Sequence, residues 1–143
     1  MRGGDGMKRP RPAWLTTAEL AHCTGLTLRQ LQYLDEGGSM QPEHRTLGHR
    51  RCWSPTDALV LTVAAYWRNR GMSWYRLRPL LPAIRAQVKL YLIDGDRHVL
   101  VTNGKQIQRV AERKLLRTIV QQDRPVQAVS LEELGRNIPG LAI

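Results

Sequence analysis

A chain of 143 residues allows one domain or two small ones, and its 22 Lys and Arg against 12 Asp and Glu leave a formal net charge of +10. That excess is almost all Arg, with Lys only at positions 8, 89, 105 and 114. It points to a polyanionic partner, nucleic acid first and an anionic membrane second, because the guanidinium fork suits phosphates and base edges. With no run of 18 apolar residues, no signal-like apolar core near the start and only Cys23 and Cys52, the composition argues against a membrane-spanning helix, a secretory leader and a disulfide framework.

Residues 1–13 combine Gly, Pro, Lys and Arg with almost nothing apolar and are expected to be a disordered basic arm. The stretch "LTTAELAHCTG" then predicts a helix. Thr16 and Glu19 form a capping box, Leu15 and Leu20 a hydrophobic staple, and Gly25 a left-handed stop. The same grammar repeats at once in "TGLTLRQLQYLDEGG". Thr27 is the cap, Gln30 its partner, Leu26 and Leu31 the staple, and Gly37-Gly38 the end. Two short helices joined at Thr24–Leu26 make a helix-turn-helix. Leu28, Leu31 and Leu34, three apart, are expected to lay one flank of the second helix on the core.

"SMQPEHRTLGHRRCW" holds Pro, Gly and three Arg without helical period and predicts a short basic hairpin with its tip near Thr46–Gly48. "SPTDALVLTVAAYWRNRG" predicts a third helix. Ser54 caps it, Pro55 takes the first turn, Asp57 closes the box, Gly71 stops it, and Leu59, Val63 and Tyr66–Trp67 form the buried stripe. Ser73 caps a fourth helix, "WYRLR", with a kink or restart at Pro79, and "PLLPAIRAQ" supplies a linking turn. From Gln87 the period changes to two. "VKLYLIDGDRHVLV" predicts a hairpin around Asp94-Gly95, in which Leu92 faces Arg97, Leu90 faces Val99 and Val88 faces Val101. Asn103 with Gln106 predicts a helix carrying Ile107, Val110, Leu115 and Ile119 to about Gln121, broken by Pro125. "VQAVS" reads as a third strand, and Ser130 with Glu133 opens a last short helix. The expected fold is therefore α+β: a winged helix-turn-helix of four helices with a basic hairpin wing over residues 14–85, then a small ββαβ unit over residues 86–143 that needs a second layer.

Helix-turn-helix, basic hairpin and two further helices is a winged-helix order. The pieces "CTGLTLRQLQYLDEGGSMQP", "GHRRCWSPTDALVL" and "RGMSWYRLRPLL" resemble, in order and spacing, the MerR-like winged-helix DNA-binding regulators, over about Ala13 to Leu81. The sequence departs from that pattern at His49, where the wing aromatic would stand, at Gln32, where Arg would precede Tyr33, and at Leu34, where a second aromatic would follow. The family's coiled-coil dimerisation helix is replaced by the ββαβ segment, so its ligand sensing and dimer geometry are not carried over. The resemblance implies that Arg50 is the wing Arg that touches backbone or minor groove, and that the start of the fourth helix contacts backbone.

A major groove admits one helix and is read by side chains near its start. On the second helix Thr27, Arg29, Gln30, Gln32 and Tyr33 lie off the apolar stripe, where Arg pairs with guanine and Gln with adenine. The wing offers Arg45, His49, Arg50 and Arg51. Around the start of the fourth helix Arg68, Arg70, Ser73, Trp74, Arg76 and Arg78 gather, a phosphate candidate through free N–H groups and dipole. Trp53 is expected to anchor the wing, and Trp67, Trp74 and Tyr75 are expected more as core than as contact. His22, Cys23, His44, His49 and Cys52 lack the paired short spacing of a zinc site. No activated nucleophile, phosphate loop or catalytic carboxylate pair stands out, so no metal, cofactor or enzymatic activity is expected. Asp94 and Asp96 fit turn chemistry. The resulting expectation is a cytoplasmic, bacterial or phage-type regulator of transcription. It would bind double-stranded DNA and pair with a second copy through its C-terminal unit. An excisionase-like or small-terminase-like architectural protein and a protein-interaction adaptor are the rivals.

Overall fold

The computed structural model describes residues 14–45, 50–95, 97–122 and 125–141. The expected arm (1–13), the wing tip and His49 lie outside the described residues. Local capping sets the first three helices. In α1 (Thr17–Thr24) and α2 (Leu28–Glu36) the Thr16 and Thr27 hydroxyls accept from Glu19 and Gln30 N–H groups, and the Glu19 and Gln30 side chains accept from the cap N–H in return. Ser54 and Asp57 repeat the exchange at α3 (Pro55–Asn69). Each box satisfies two of the donors that a helix start leaves open. Gly25 ends α1 at φ 80, a conformation that would strain a side chain.

Between α2 and α3 runs the wing: β1 (His44–Arg45) pairs antiparallel with β2 (Arg51–Cys52), Arg45 opposite Arg51. Beyond α3, Ser73 caps α4 (Trp74–Leu77), and a 3-10 turn at Arg78–Leu80 carries Pro79 before the chain restarts.

The restart differs from the expected linking turn and hairpin. Residues 81–94 form α5 (Leu81–Asp94), with Pro82 in its first turn. Leu81, Ile84, Val88 and Tyr91, spaced three and four apart, are buried, and this helical period outcompetes the two-residue alternation that the same residues also show. Asp94-Gly95 is not a hairpin turn. Gly95 takes φ 67 and donates its N–H to the Tyr91 carbonyl at 2.8 Å, capping α5. The pairing of Val88, Leu90 and Leu92 with residues 97–101 therefore does not occur.

The C-terminal sheet starts later. β3 (His98–Thr102) pairs antiparallel with β4 (Ile107–Ala111), Val99 opposite Val110, and with β5 (Gln127–Ser130), Leu100 opposite Val129. Asn103 caps no helix. Its carboxamide oxygen accepts from the N–H groups of Lys105 and Gln106, so the cap signature is used by the β3–β4 turn. The helical run begins only at a 3-10 turn, Glu112–Lys114, and α6 (Leu115–Val120). α7 (Leu131–Gly135) follows β5 directly, with the Ser130 hydroxyl accepting from the Glu133 N–H.

A continuous core runs from Leu15 to Ile138. At its centre lies α3, whose Leu59, Val63 and Trp67 are fully buried and which touches α1, α4, α5, α7 and β5. One face of the three-stranded sheet joins this core through Leu100 and Val129, while Val99, Val101 and Val110 cluster with Leu115, Val126 and Ala128 on the other. α5 crosses residue 85, the expected end of the first domain, without a break. None of the helices among the described residues is long and apolar enough to cross a membrane.

Candidate nucleic-acid interface

Successive residues of a helix lie about 100° apart around its axis. On α2 the buried set is Leu31, Leu34 and Asp35, and the side chains turned outward are Leu28, Arg29, Gln32, Tyr33 and Glu36. Leu28 is 55% exposed, so the expected three-leucine stripe is corrected at its first member. The third member of the buried flank is Asp35, only 2% exposed.

Asp35 fastens the wing. Arg45 Nη2 donates to both carboxylate oxygens at 2.6 and 2.8 Å, and Arg51 Nε donates to Oδ2. Arg51 also reaches Glu36 at 3.6 Å. Two of the wing arginines are thus spent on α2 and not held out toward a phosphate. Arg50 stays exposed beside them. Trp53 secures the wing base. Its indole N–H donates to the Thr17 hydroxyl at 3.0 Å, and its backbone exchanges hydrogen bonds with Leu15 at 2.7 and 2.9 Å. Behind the wing, the buried Asp57 accepts from Arg85 at 2.6 Å and so ties α3 to α5.

Burial alone would raise the Asp35 carboxyl. The hydrogen bonds and charge of Arg45 and Arg51 outweigh it and hold the group below its ordinary value. A lowered carboxyl contributes stability above its unfolded value, about 4, and loses it as pH falls through the folded value. Acid titration of urea stability is therefore expected to show a loss below about pH 4 that Asp35→Asn removes. An unchanged acid limb in that variant would place the loss elsewhere.

The opposite flank of α2 meets α4. Arg78 Nη1 donates to the Tyr33 hydroxyl at 3.2 Å, with its guanidinium 5.5 Å from the ring centroid. Trp74, Thr27, Arg29, Gln30, Tyr33 and Leu34 line a shallow, largely apolar groove of about 330 Å³. Thr27 and Gln30 are engaged with each other in the cap. The Gln30 carbonyl oxygen accepts the Thr27 N–H at 2.9 Å, so one of its two lone pairs is already in use in the cap. Gln32 donates to Glu36 at 2.9 Å from an exposed position. Arg29 stands outward on the same face.

Arg68, Arg70, Ser73 and Arg76 are exposed around the α3–α4 turn, and Arg70, Ser73 and Arg76 line one open cleft. The Arg70 guanidinium stacks 3.5 Å over the Tyr66 ring, and Ser73 is committed to the Arg76 N–H at 3.3 Å. Trp74 packs against the core with one side. Cys23 and Cys52 are free thiols, and burial, then the Glu19 carboxylate, pushes the Cys23 thiol up, as suits packing more than ligation.

Outward polar helix, clamped hairpin and flanking Arg-bearing helix follow one another in chain order, and residues 15–84 match the model of the family described as MerR HTH family regulatory protein. This segment is a MerR-type helix-turn-helix domain. Such domains are of the DNA-binding, transcription-regulating type, and the chain shares that type. A comparison of the chain with curated proteins gives no match. The MerR-type segment ends within α5, so the three-stranded sheet lies wholly outside it. Asp35 escaped the sequence reading because its partners stand 10 and 16 positions away. A carboxylate set between Leu34 and Glu36 has the pattern of a solvated helix end.

Proposed function

We propose that the chain is a sequence-specific binder of double-stranded DNA that regulates transcription by occupying an operator. In this reading α2 enters the major groove with Arg29 and Gln32 toward base edges, and the exposed Leu28 and Tyr33 beside them. The wing rests on the backbone or minor groove through Arg50. Residues 14–85 carry these contacts, and Arg68 and Arg76 hold phosphates next to them. The sequence of residues 1–13 adds positive charge, and His49 belongs to the wing contacts of this reading. A second copy joined through residues 86–143 would double the bases read, since one short helix reaches few. The observation that carries the proposal is the division of labour on α2. Leu31, Leu34 and Asp35 fix the helix and wing together, which leaves Arg29 and Gln32 outward on a chain of formal charge +10.

Selection of bound duplexes from a random pool, followed by competition assays, tests it. A defined motif is expected. Arg29→Ala should cost about 1–3 kcal/mol of discrimination at one base position. Arg50→Ala should weaken all duplexes by a common factor and lower the salt slope by about 1. Enrichment of no motif, or a base preference in Arg29→Ala that is unchanged from the wild type at every position, would overturn sequence reading. Strong mobility differences in circularly permuted duplexes would favour an architectural bender instead.

A further inference from the structure

The β3–β4 turn lies outside the MerR-type segment, yet it is seated against α4. A Cβ added at Gly104 would stand 3.3 Å from Arg76 Nη1, and Gly104 adopts φ 93. Glycine therefore lets the turn approach the guanidinium closely. The turn is internally braced. The Thr102 hydroxyl donates to the Gln106 carbonyl at 2.7 Å and accepts the Gly104 N–H at 3.1 Å, while Asn103 accepts from Lys105 and Gln106 at 2.9 and 3.0 Å.

Arg76 separates two open clefts. One, of about 650 Å³, has Arg70, Ser73 and Arg76 on one wall and Asn103, Gly104 and Gln127 on the other. The second, of about 470 Å³, is bounded by Tyr75, Arg76 and Lys105. No acidic side chain lines either cleft among the described residues. Two of the charges there face no carboxylate among the described residues. Arg45, Arg51, Arg85, Arg97 and Arg109 each pair with a carboxylate, whereas Arg76 and Lys105 pair with none among the described residues. Through Arg78 and Tyr33, the 3-10 turn that follows α4 touches the outward face of α2.

We propose that the β3–β4 turn is a second grip on nucleic acid, in which Lys105, beside Arg76, holds backbone phosphates of the duplex beyond the bases that α2 faces. The proposal rests on the DNA-binding reading above and adds to it a contact from the part of the chain outside the MerR-type segment. Its ligand is the phosphodiester backbone, so it lengthens the footprint without adding base preference.

Two duplexes carrying the selected motif test it: one ending at the motif's edges, one extended by about 10 base pairs on each side, a helical turn. Wild-type chain is expected to bind the extended duplex more tightly and with a steeper salt dependence. Lys105→Gln should lower the slope on the extended duplex by about 0.9, equivalent to about 3.5-fold in affinity between 50 and 200 mM salt. It should leave the short duplex and the base preference unchanged. Lys89→Gln, the same charge change on α5, controls for bulk electrostatics and should leave the gain intact. Equal binding of both duplexes by wild type, or equal losses in the two Lys variants, would overturn the second grip while leaving sequence reading in place. Failure of the wild type to bind any duplex would overturn both.

Discussion

Trp53→Ala is expected to destabilise the chain by about 3–5 kcal/mol, the range for truncating a fully buried tryptophan. The indole is 0% exposed and sits where three elements converge: the strand just before it, the helix cap just after it and the segment leading into α1. Truncation would leave a cavity at that junction and orphan the Thr17 hydroxyl contact. Against a total stability of about 5–15 kcal/mol for an ordinary domain, such a loss is large. It corresponds to a fall in Tm on the order of 10 °C. Trp53→Phe keeps most of the packing and loses the hydrogen bond, so a cost of about 1–2 kcal/mol is expected. Urea unfolding of both variants measures the difference. A loss below about 1 kcal/mol in Trp53→Ala would mean that the indole anchors nothing.

Asp35→Ala is the second large effect, and it separates stability from binding. Removing one partner of a fully buried ion pair costs about 3–5 kcal/mol. Here Arg45 and Arg51 are 37% and 26% exposed and can turn to water once released, which discounts the cost to about 2–3 kcal/mol. The larger consequence falls on the wing, which loses its buried attachment to α2 and keeps only the exposed Arg51–Glu36 pair. Affinity for the selected duplex is expected to drop at least about tenfold, or 1.4 kcal/mol, in a variant that circular dichroism still reports as folded. Undiminished affinity in the folded variant would show that wing position does not matter to binding.

How far these effects could be anticipated from sequence differs between the two residues. Trp53 was legible as an anchor because a lone aromatic ends a basic, apolar-poor stretch. Asp35 was not, for reasons of distance along the chain. The helix starts were the most legible features. Thr16/Glu19, Thr27/Gln30 and Ser54/Asp57 each encode a contact within three residues, and the reciprocal bonds form as the spacing dictates. The region from Gln87 was misread because its residues satisfy two periods at once. Val88, Leu90 and Leu92 alternate, but Ile84, Val88 and Tyr91 also recur at helical spacing, and the choice falls to the packing partner, α3. Asp94-Gly95 and Asn103 were ambiguous in the same way. A Gly that accepts a left-handed conformation serves a hairpin and a helix end alike, and an Asn oxygen can hold the N–H groups of a turn as well as those of a cap. The outward row on α2 was legible in type, and so was the cap bond of Gln30, while Leu28, read as part of the buried stripe, is exposed.

The carboxylate beneath the wing has a thermodynamic consequence for encounter with a duplex. Asp35 fixes hairpin and helix at their mutual spacing, so in the DNA-binding reading proposed above the entropy of arranging them would be lost during folding and not at association. In that reading, duplexes whose groove widths match the fixed span would be engaged without rearrangement, and the others would have to deform at their own elastic cost.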